Sequence, residues 1–341
     1  MDAALDAPPA CTTSSAFGAE ITSAVGGAGV ALQVARFDNG NIADVAVAIT
    51  TDVAILLGTN DGSFGSISLV GTPAIGFVVD DFDLQDVRKD LVMVSGAGAI
   101  GRRQNPASPG TFLAEQPLTG PFNNVDAVGV GAFDNGNITA DLVVHDDSGA
   151  TVFEQLQGTP GTFSRENTVG DAGDKLVFAG TIDRENNSDA LFVDATGNVK
   201  LAVTDTSGVL QPPTIVATGA TGLGVGVGLF DDDNFLDLVV ATVDGGEIYL
   251  QNSASPGVFT KQTGTFGGIK STAPLLVGDI NGDGLDDVVT PNTIVMQCPT
   301  TRVFTQVESI NAANGVLANV DGNSKLDLLR LAGTDLIVRL Q

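Results

Sequence analysis

The sequence predicts an all-β fold: a seven-bladed β-propeller, closed by an N-terminal strand that completes the last blade. Three observations predict it. One phrase recurs seven times along the 341 residues, with closing aspartates spaced 46, 51, 48, 48, 50 and 40 residues apart. Each repeat carries short β-type runs separated by turn signals, four in a full repeat, and no window sustains a helical period. The last repeat stops after its third run, and a run of the fourth kind stands ahead of the first repeat.

The phrase is a small or apolar run, an aspartate-rich loop, an Asp, then a Val/Leu run. It reads VARFDNGNIADVAVAI at 34–49, VVDDFDLQDVRKDLVMV at 78–94 and VGAFDNGNITADLVVH at 130–145. It returns as AGTIDRENNSDALFV at 179–193, VGLFDDDNFLDLVVA at 227–241, VGDINGDGLDDVVT at 277–290 and LANVDGNSKLDLLRL at 317–331. The closing aspartates are Asp44, Asp90, Asp141, Asp189, Asp237, Asp287 and Asp327. A period of about 48 residues suits one four-stranded blade per repeat.

In the first repeat the runs are Leu32 to Phe37, Val45 to Ile49, Val53 to Leu57 and Phe64 to Val70. The fourth run usually opens on a small residue and Phe, as at Phe64, Phe112, Phe163, Phe259 and Phe304. Phe37, Phe133 and Phe230 occupy equivalent places and read as packing between blades. Residues 16–341 form the propeller, with 16–22 as the closing strand of blade seven. Residues 1–15, rich in Asp, Ala and Pro, read as the remnant of a linker, with a signal or anchor upstream.

Composition narrows the function. Forty-one acidic residues against 15 basic ones give a net charge of −26, and 34 of the acids are Asp. Such a surface repels phosphate backbones and anionic lipid heads, which argues against nucleic acid. No apolar stretch of about 20 residues exists, so no membrane insertion is expected. His145 is the sole histidine, so a Ser-His-Asp triad would have to use it; it reads as a strand-end surface residue. Two cysteines and one histidine cannot build a Cys/His zinc site. Gly222 to Gly226 leads into a strand, not a helix, so it is no dinucleotide loop. No enzyme is expected.

The sharpest loop is Asp279-Ile280-Asn281-Gly282-Asp283-Gly284-Leu285-Asp286-Asp287. Oxygen side chains stand at Asp279, Asn281, Asp283 and Asp287, and the Leu285 carbonyl is free to join them. Alternate hard oxygens in a tight loop suit Ca²⁺. Asp and Asn in such loops also cap turns by accepting backbone N–H bonds, and both readings stand.

Seven repeats with this loop after the first strand and F-G or T-F at the fourth resemble FG-GAP/VCBS repeats, which form propellers similar to the integrin α-subunit head. The resemblance covers roughly residues 16–341. It implies a calcium-supported extracellular binding or adhesion domain, without naming a ligand.

The other loops depart from the motif. Blade seven offers Asn319, Asp321, Asn323 and Asp327, with Lys325 inside the loop; blade two offers Asp81, Asp83 and Asp90. These are the weaker metal candidates. Blade five begins on Leu229 and blade four on Thr181. Blade one begins on Arg36, whose guanidinium is expected to pair with Asp38 and Asp44 in place of a cation. Blade three begins on Ala132.

Cys11 precedes the closing strand, and Cys298 lies in blade six, beside the blade that the strand completes. A bridge between them would staple the closure, adding about 4–5 kcal/mol at most on the chain-entropy model; two unrelated thiols are the alternative. The pair Arg102-Arg103 reads either as a contact patch or as a solvated loop tip. Without Trp and with Tyr249 alone, aromatic sugar platforms are scarce. The expected function is therefore a secreted or cell-surface (or periplasmic) monomer that binds a protein partner, with a lectin as the alternative.

Overall fold

The computed structural model describes residues 17–341, apart from 83–87, 106, 135–139, 157, 160, 264–265, 268 and 300. Its strands form seven antiparallel four-stranded sheets, and the described residues contain no helix. Six sheets are meanders of consecutive strands. In blade one these are Gly29–Ala35, Asp44–Ile49, Asp52–Gly58 and Phe64–Leu69. The seventh sheet joins Gly315–Ala318, Asp327–Ala332 and Asp335–Arg339 to the N-terminal strand Glu20–Ala24.

The expected closure is thus present, with its strand at 20–24 rather than 16–22. Glu20 pairs with Arg339 and Ala24 with Asp335. Gly18 N–H donates to the Leu340 carbonyl at 2.7 Å, and the Arg339 guanidinium donates to the carbonyls of Phe17 and Gly18. Phe17 itself packs into the cluster between blades six and seven. The chain ends therefore cover an edge that would otherwise present unpaired backbone groups.

The apolar runs follow from burial on both faces. In the second strand of blade one, Val45, Val47 and Ile49 face blade seven, while Ala46 and Ala48 face blade two. Side chains alternate with a period of two, so a strand buried on both sides reads as one unbroken apolar run. The arrangement recurs at every junction, giving one apolar cluster per blade pair. Each fully buried Val, Leu, Ile or Phe contributes about 1.5–3 kcal/mol.

Phenylalanines mark three junctions. Phe37–Phe112, Phe82–Phe163 and Phe230–Phe304 meet edge-to-face with centroids 6.3, 5.7 and 5.8 Å apart. Each pair joins one blade's aspartate loop to the start of the next blade's fourth run. Toward the axis the blades converge, and glycine makes room. A Cβ on Gly228 would stand 2.3 Å from Val277 Cγ1, and one on Gly226 2.5 Å from Val277 Cγ2.

Candidate functional site

The aspartate loops all lie on one rim, where first strands end and second strands begin. Their common feature is a clamp. Every closing aspartate is buried. Its Oδ2 accepts the N–H of Phe37, Phe82, Phe133, Ile182, Phe230, Ile280 or Val320 at 2.7–3.0 Å. Its Oδ1 accepts the N–H of Gly58, Gln104, Gln155, Thr204, Gln251, Gln297 or Gln341, at the end of the third strand, also at 2.7–3.0 Å. One carboxylate thus ties the start of its own loop to a neighbouring strand. Burial pushes Asp44 and Asp327 up, Asp141 and Asp189 to about 6, and Asp237 and Asp287 to about 7.

A second device escaped the sequence reading. Five of the seven residues that donate to Oδ1 are glutamines. Four of them reach across the junction: the Nε2 groups of Gln155, Gln251, Gln297 and Gln341 donate to the carbonyls of Phe82, Ile182, Phe230 and Ile280 in the preceding blade. The signal was a Gln 10 or 14 residues after the closing Asp, obscured by the variable length of the intervening turn.

The blade-six loop folds as a run of tight turns capped by its own Asp and Asn oxygens. Gly282 and Gly284 sit at φ 77° and 89°, values that glycine adopts without strain. Asp279 accepts the N–H groups of Gly282, Asp283 and Gly284; Asn281 Oδ1 accepts that of Asp283, and Asp283 Oδ1 that of Leu285. Asp283 Oδ2 is buried with no hydrogen-bond partner. After burial, the charges of Asp283 and Asp279 are what push Asp287 upward. Among the described residues, no three His, Cys, Asp or Glu side chains are grouped as a metal site.

Blade seven repeats this geometry with Gly322 and Ser324 at φ 81° and 70°. There, however, Asn323 stands in the place of Asp283, and its amide donates to Asp321 Oδ2 and to the Gln341 carbonyl. Blade two brings side-chain cations to its loop: Lys89 bonds Asp80 at 2.9 Å, and Arg88 is buried. Asp90 is the clamp there, the Asp81 N–H donates to Asp80 Oδ1, and Asp83 lies outside the described residues. In blade one, Arg36 is exposed, and the N–H groups of Phe37, Asp38 and Gly58 take the Asp44 oxygens. Backbone donors fill the role expected of its guanidinium.

His145 is not a surface residue. It is 1% exposed, its Nδ1 lies 2.6 Å from Asp126 Oδ1, and Lys175 bonds the other oxygen of Asp126. The strand end is covered because blade four packs against it, with Phe192 beside the ring. Arg102 is likewise no loop tip: it closes the third strand of blade two, bonds the Val70 carbonyl and stands 3.7 Å from Glu115. Tyr249 is buried in the third strand of blade five, its hydroxyl donating to Glu247. Cys298 is buried, and Cys11 lies outside the described residues.

Residues 230–290, from the aspartate loop of blade five to the second strand of blade six, match the FG-GAP-like repeat family. The chain is a seven-bladed propeller in which this stretch matches the FG-GAP-like repeat. A comparison with curated proteins gives no match. Solved structures of similar architecture include an Agrocybe aegerita lectin described as recognising non-reducing terminal N-acetylglucosamine. It is 15% identical, covers 92% of this chain and 86% of its own, and has a TM-score of 0.63. The BP39L lectin of Burkholderia pseudomallei is 14% identical over 89% of this chain and 92% of its own, with a TM-score of 0.68. A rhamnogalacturonan lyase of Bacillus licheniformis is 12% identical over 96% of this chain and 74% of its own, with a TM-score of 0.53. At these identities the likeness shows the fold alone.

Proposed function

We propose that the protein is a non-enzymatic binding propeller that works outside the cytoplasm and recognises a carbohydrate. The observation that carries the non-enzymatic part is how the reactive groups are used. The seven closing carboxylates hold backbone N–H groups, and the one imidazole is buried against Asp126. The two lectins of similar architecture support the carbohydrate. A second reading is a protein partner on the loop rim. It is favoured by Val258 and Val303, 53% and 51% exposed on the third-to-fourth strand connections of adjacent blades. Apolar side chains displayed at a rim suit a protein contact.

Calcium at the blade-six loop belongs to the same proposal. Asp279, Asn281, Asp283 and the Leu285 carbonyl would hold the ion, with Asp287 clamping the loop from below. The unpartnered Asp283 Oδ2 supports this, as does the crowding of carboxylates that a divalent cation would relieve. A Cys11–Cys298 bridge stapling the closing strand fits an oxidising compartment. The test is a glycan array and a cell-surface protein panel, each run in calcium. Array signals with a blank protein panel support the carbohydrate, and the reverse supports the protein. Product released from a panel of acidic and neutral polysaccharides would refute the non-enzymatic reading.

A further inference from the structure

The repeat is broken at one place that faces a cavity. In blades two, three and five, seven residues separate the clamp glutamine from the Phe opening the fourth run; in blade six only six separate Gln297 from Phe304. In blades two and five the longer connection places a glycine N–H beside the glutamine. Gly257 N–H donates to Gln251 Oε1 at 2.7 Å, and Gly110 N–H to Gln104 Oε1 at 3.3 Å. In blade six Arg302 occupies the corresponding bend, at φ 58°. Its N–H turns to the Cys298 carbonyl, and Gln297 Oε1 is left buried without a partner. Gln155 of blade three also has an open Oε1, where Gly161 donates instead to Phe82.

Blade six differs in that its glutamine lines a cavity. A cavity of about 260 Å³ lies between blades five and six, lined by Gln297, Arg302, Asp231 and the rings of Phe230, Phe266 and Phe304. Phe266 and Phe304 meet edge-to-face at 5.0 Å and form its apolar wall. Arg302 reaches across the junction to Asp232, which leaves its Nη1 buried with no partner. The cavity's lining thus includes a side chain with an unpartnered acceptor, one with an unpartnered donor, and an aromatic face. Asp231 and Asp232 outnumber the one guanidinium, which disfavours an anionic ligand.

We propose that this cavity takes a single neutral sugar residue. Such a ring presents hydroxyl groups that both donate and accept, beside a C–H face that packs on aromatic edges. The volume suits one small ring and is below that of drug-sized pockets. The proposal rests on the carbohydrate reading above and gives it a location.

The test is titration of the intact protein with glucose, galactose, mannose, fucose and N-acetylglucosamine, followed by ligand-observed NMR. Two variants run beside it. Arg302→Gly removes the guanidinium and suits the left-handed bend that Gly257 makes in blade five. Phe266→Ala removes the wall while keeping the backbone pairing of Phe266 with Gly246. At least one sugar is expected to bind, and each variant to weaken it roughly tenfold or more with an unchanged fold by circular dichroism. Binding that survives both variants overturns the cavity assignment and leaves the carbohydrate reading in place. No binding of any of these sugars also overturns it, and a blank glycan array beside that result removes the carbohydrate reading too.

Discussion

Glycine at the inner ends of the blades should control whether the ring closes. Gly228→Ala tests this. The new methyl would lie 2.3 Å from Val277 Cγ1 and 2.6 Å from Asp286 Oδ2. Neither neighbour yields easily. Val277 is β-branched on the inner strand of blade six, and Asp286 Oδ2 accepts the Leu229 N–H at 2.7 Å. Overpacking of this kind costs about 1–3 kcal/mol. Displacing Asp286 weakens a hydrogen bond contributing about 1 kcal/mol more. The sum, on the order of 2–4 kcal/mol, lowers the melting temperature by roughly 3–6 °C for a chain of this size. Gly65→Ala is the control: its Cβ would meet only the Leu57 carbonyl, at 3.9 Å. There the shorter list of unfolded conformations should leave stability unchanged or raised by about 0.4–1 kcal/mol. Scanning calorimetry of both variants decides the matter. Equal melting temperatures for the two would refute the argument that blade spacing is set by the missing Cβ.

Asp237→Ala should expose what the clamp contributes, because it strands the N–H groups of Phe230 and Gln251 in the interior. Measured at about pH 5.5, where the carboxyl that burial pushes to about 7 is largely neutral, the loss should be roughly 1–3 kcal/mol; a variant as stable as Asp232→Ala, an exposed neighbour, would contradict it. Asp141, Asp189, Asp237 and Asp287 bind protons more tightly folded than unfolded, since burial raises them to about 6–7 from 3.8. Their stabilisation is complete below the unfolded value and is lost as pH rises through the folded one. The melting temperature in EDTA should therefore fall between about pH 5 and pH 8, and a rise across that window would be the wrong sign. Calcium at about a hundredfold excess over its dissociation constant should add about 2.7 kcal/mol, or roughly 4 °C. Asp283→Ala should abolish that gain; if calcium leaves the wild-type melt unchanged, the blade-six loop is a capped turn.

The blades were legible because two signals repeat at fixed positions: the closing Asp and the apolar run after it. Val45 to Ile49 reads as a strand without help, since both faces are buried. The closing strand was found but placed early, because Phe17 suggested a strand start. In the structure Phe17 is a core plug, and pairing begins at Glu20. The fourth strand of blade two was expected at Phe112. Phe112 makes only a bridge to Gln104, and the strand is Gln116–Pro117. An outermost strand pairs on one side only, so local sequence binds its position weakly. His145 was misread for a different reason. Its burial comes from blade four, about 47 residues away at Phe192, and no local pattern reports such a contact.

The clamp also explains why the loops diverge without loss of the fold. It uses one carboxylate and backbone N–H groups, so it asks nothing of the loop's first position. That position is Arg36, Asp81, Ala132, Thr181, Leu229, Asp279 and Asn319 in the seven blades. On the calcium proposal, a cation loop is an addition where the oxygens happen to be present, as in blade six, and its absence elsewhere costs the ring little. The same logic applies to the junctions. Where the glutamine and its glycine partner are both in place, the rim is sealed by its own hydrogen bonds, as at Gln251 and Gly257. Where blade six is one residue shorter, a buried oxygen and a guanidinium nitrogen lose their partners beside an aromatic wall. An open glutamine oxygen alone makes no site, since Gln155 has one too; binding is best sought in blade six, where the shortened connection, an unpartnered guanidinium nitrogen and the aromatic wall come together.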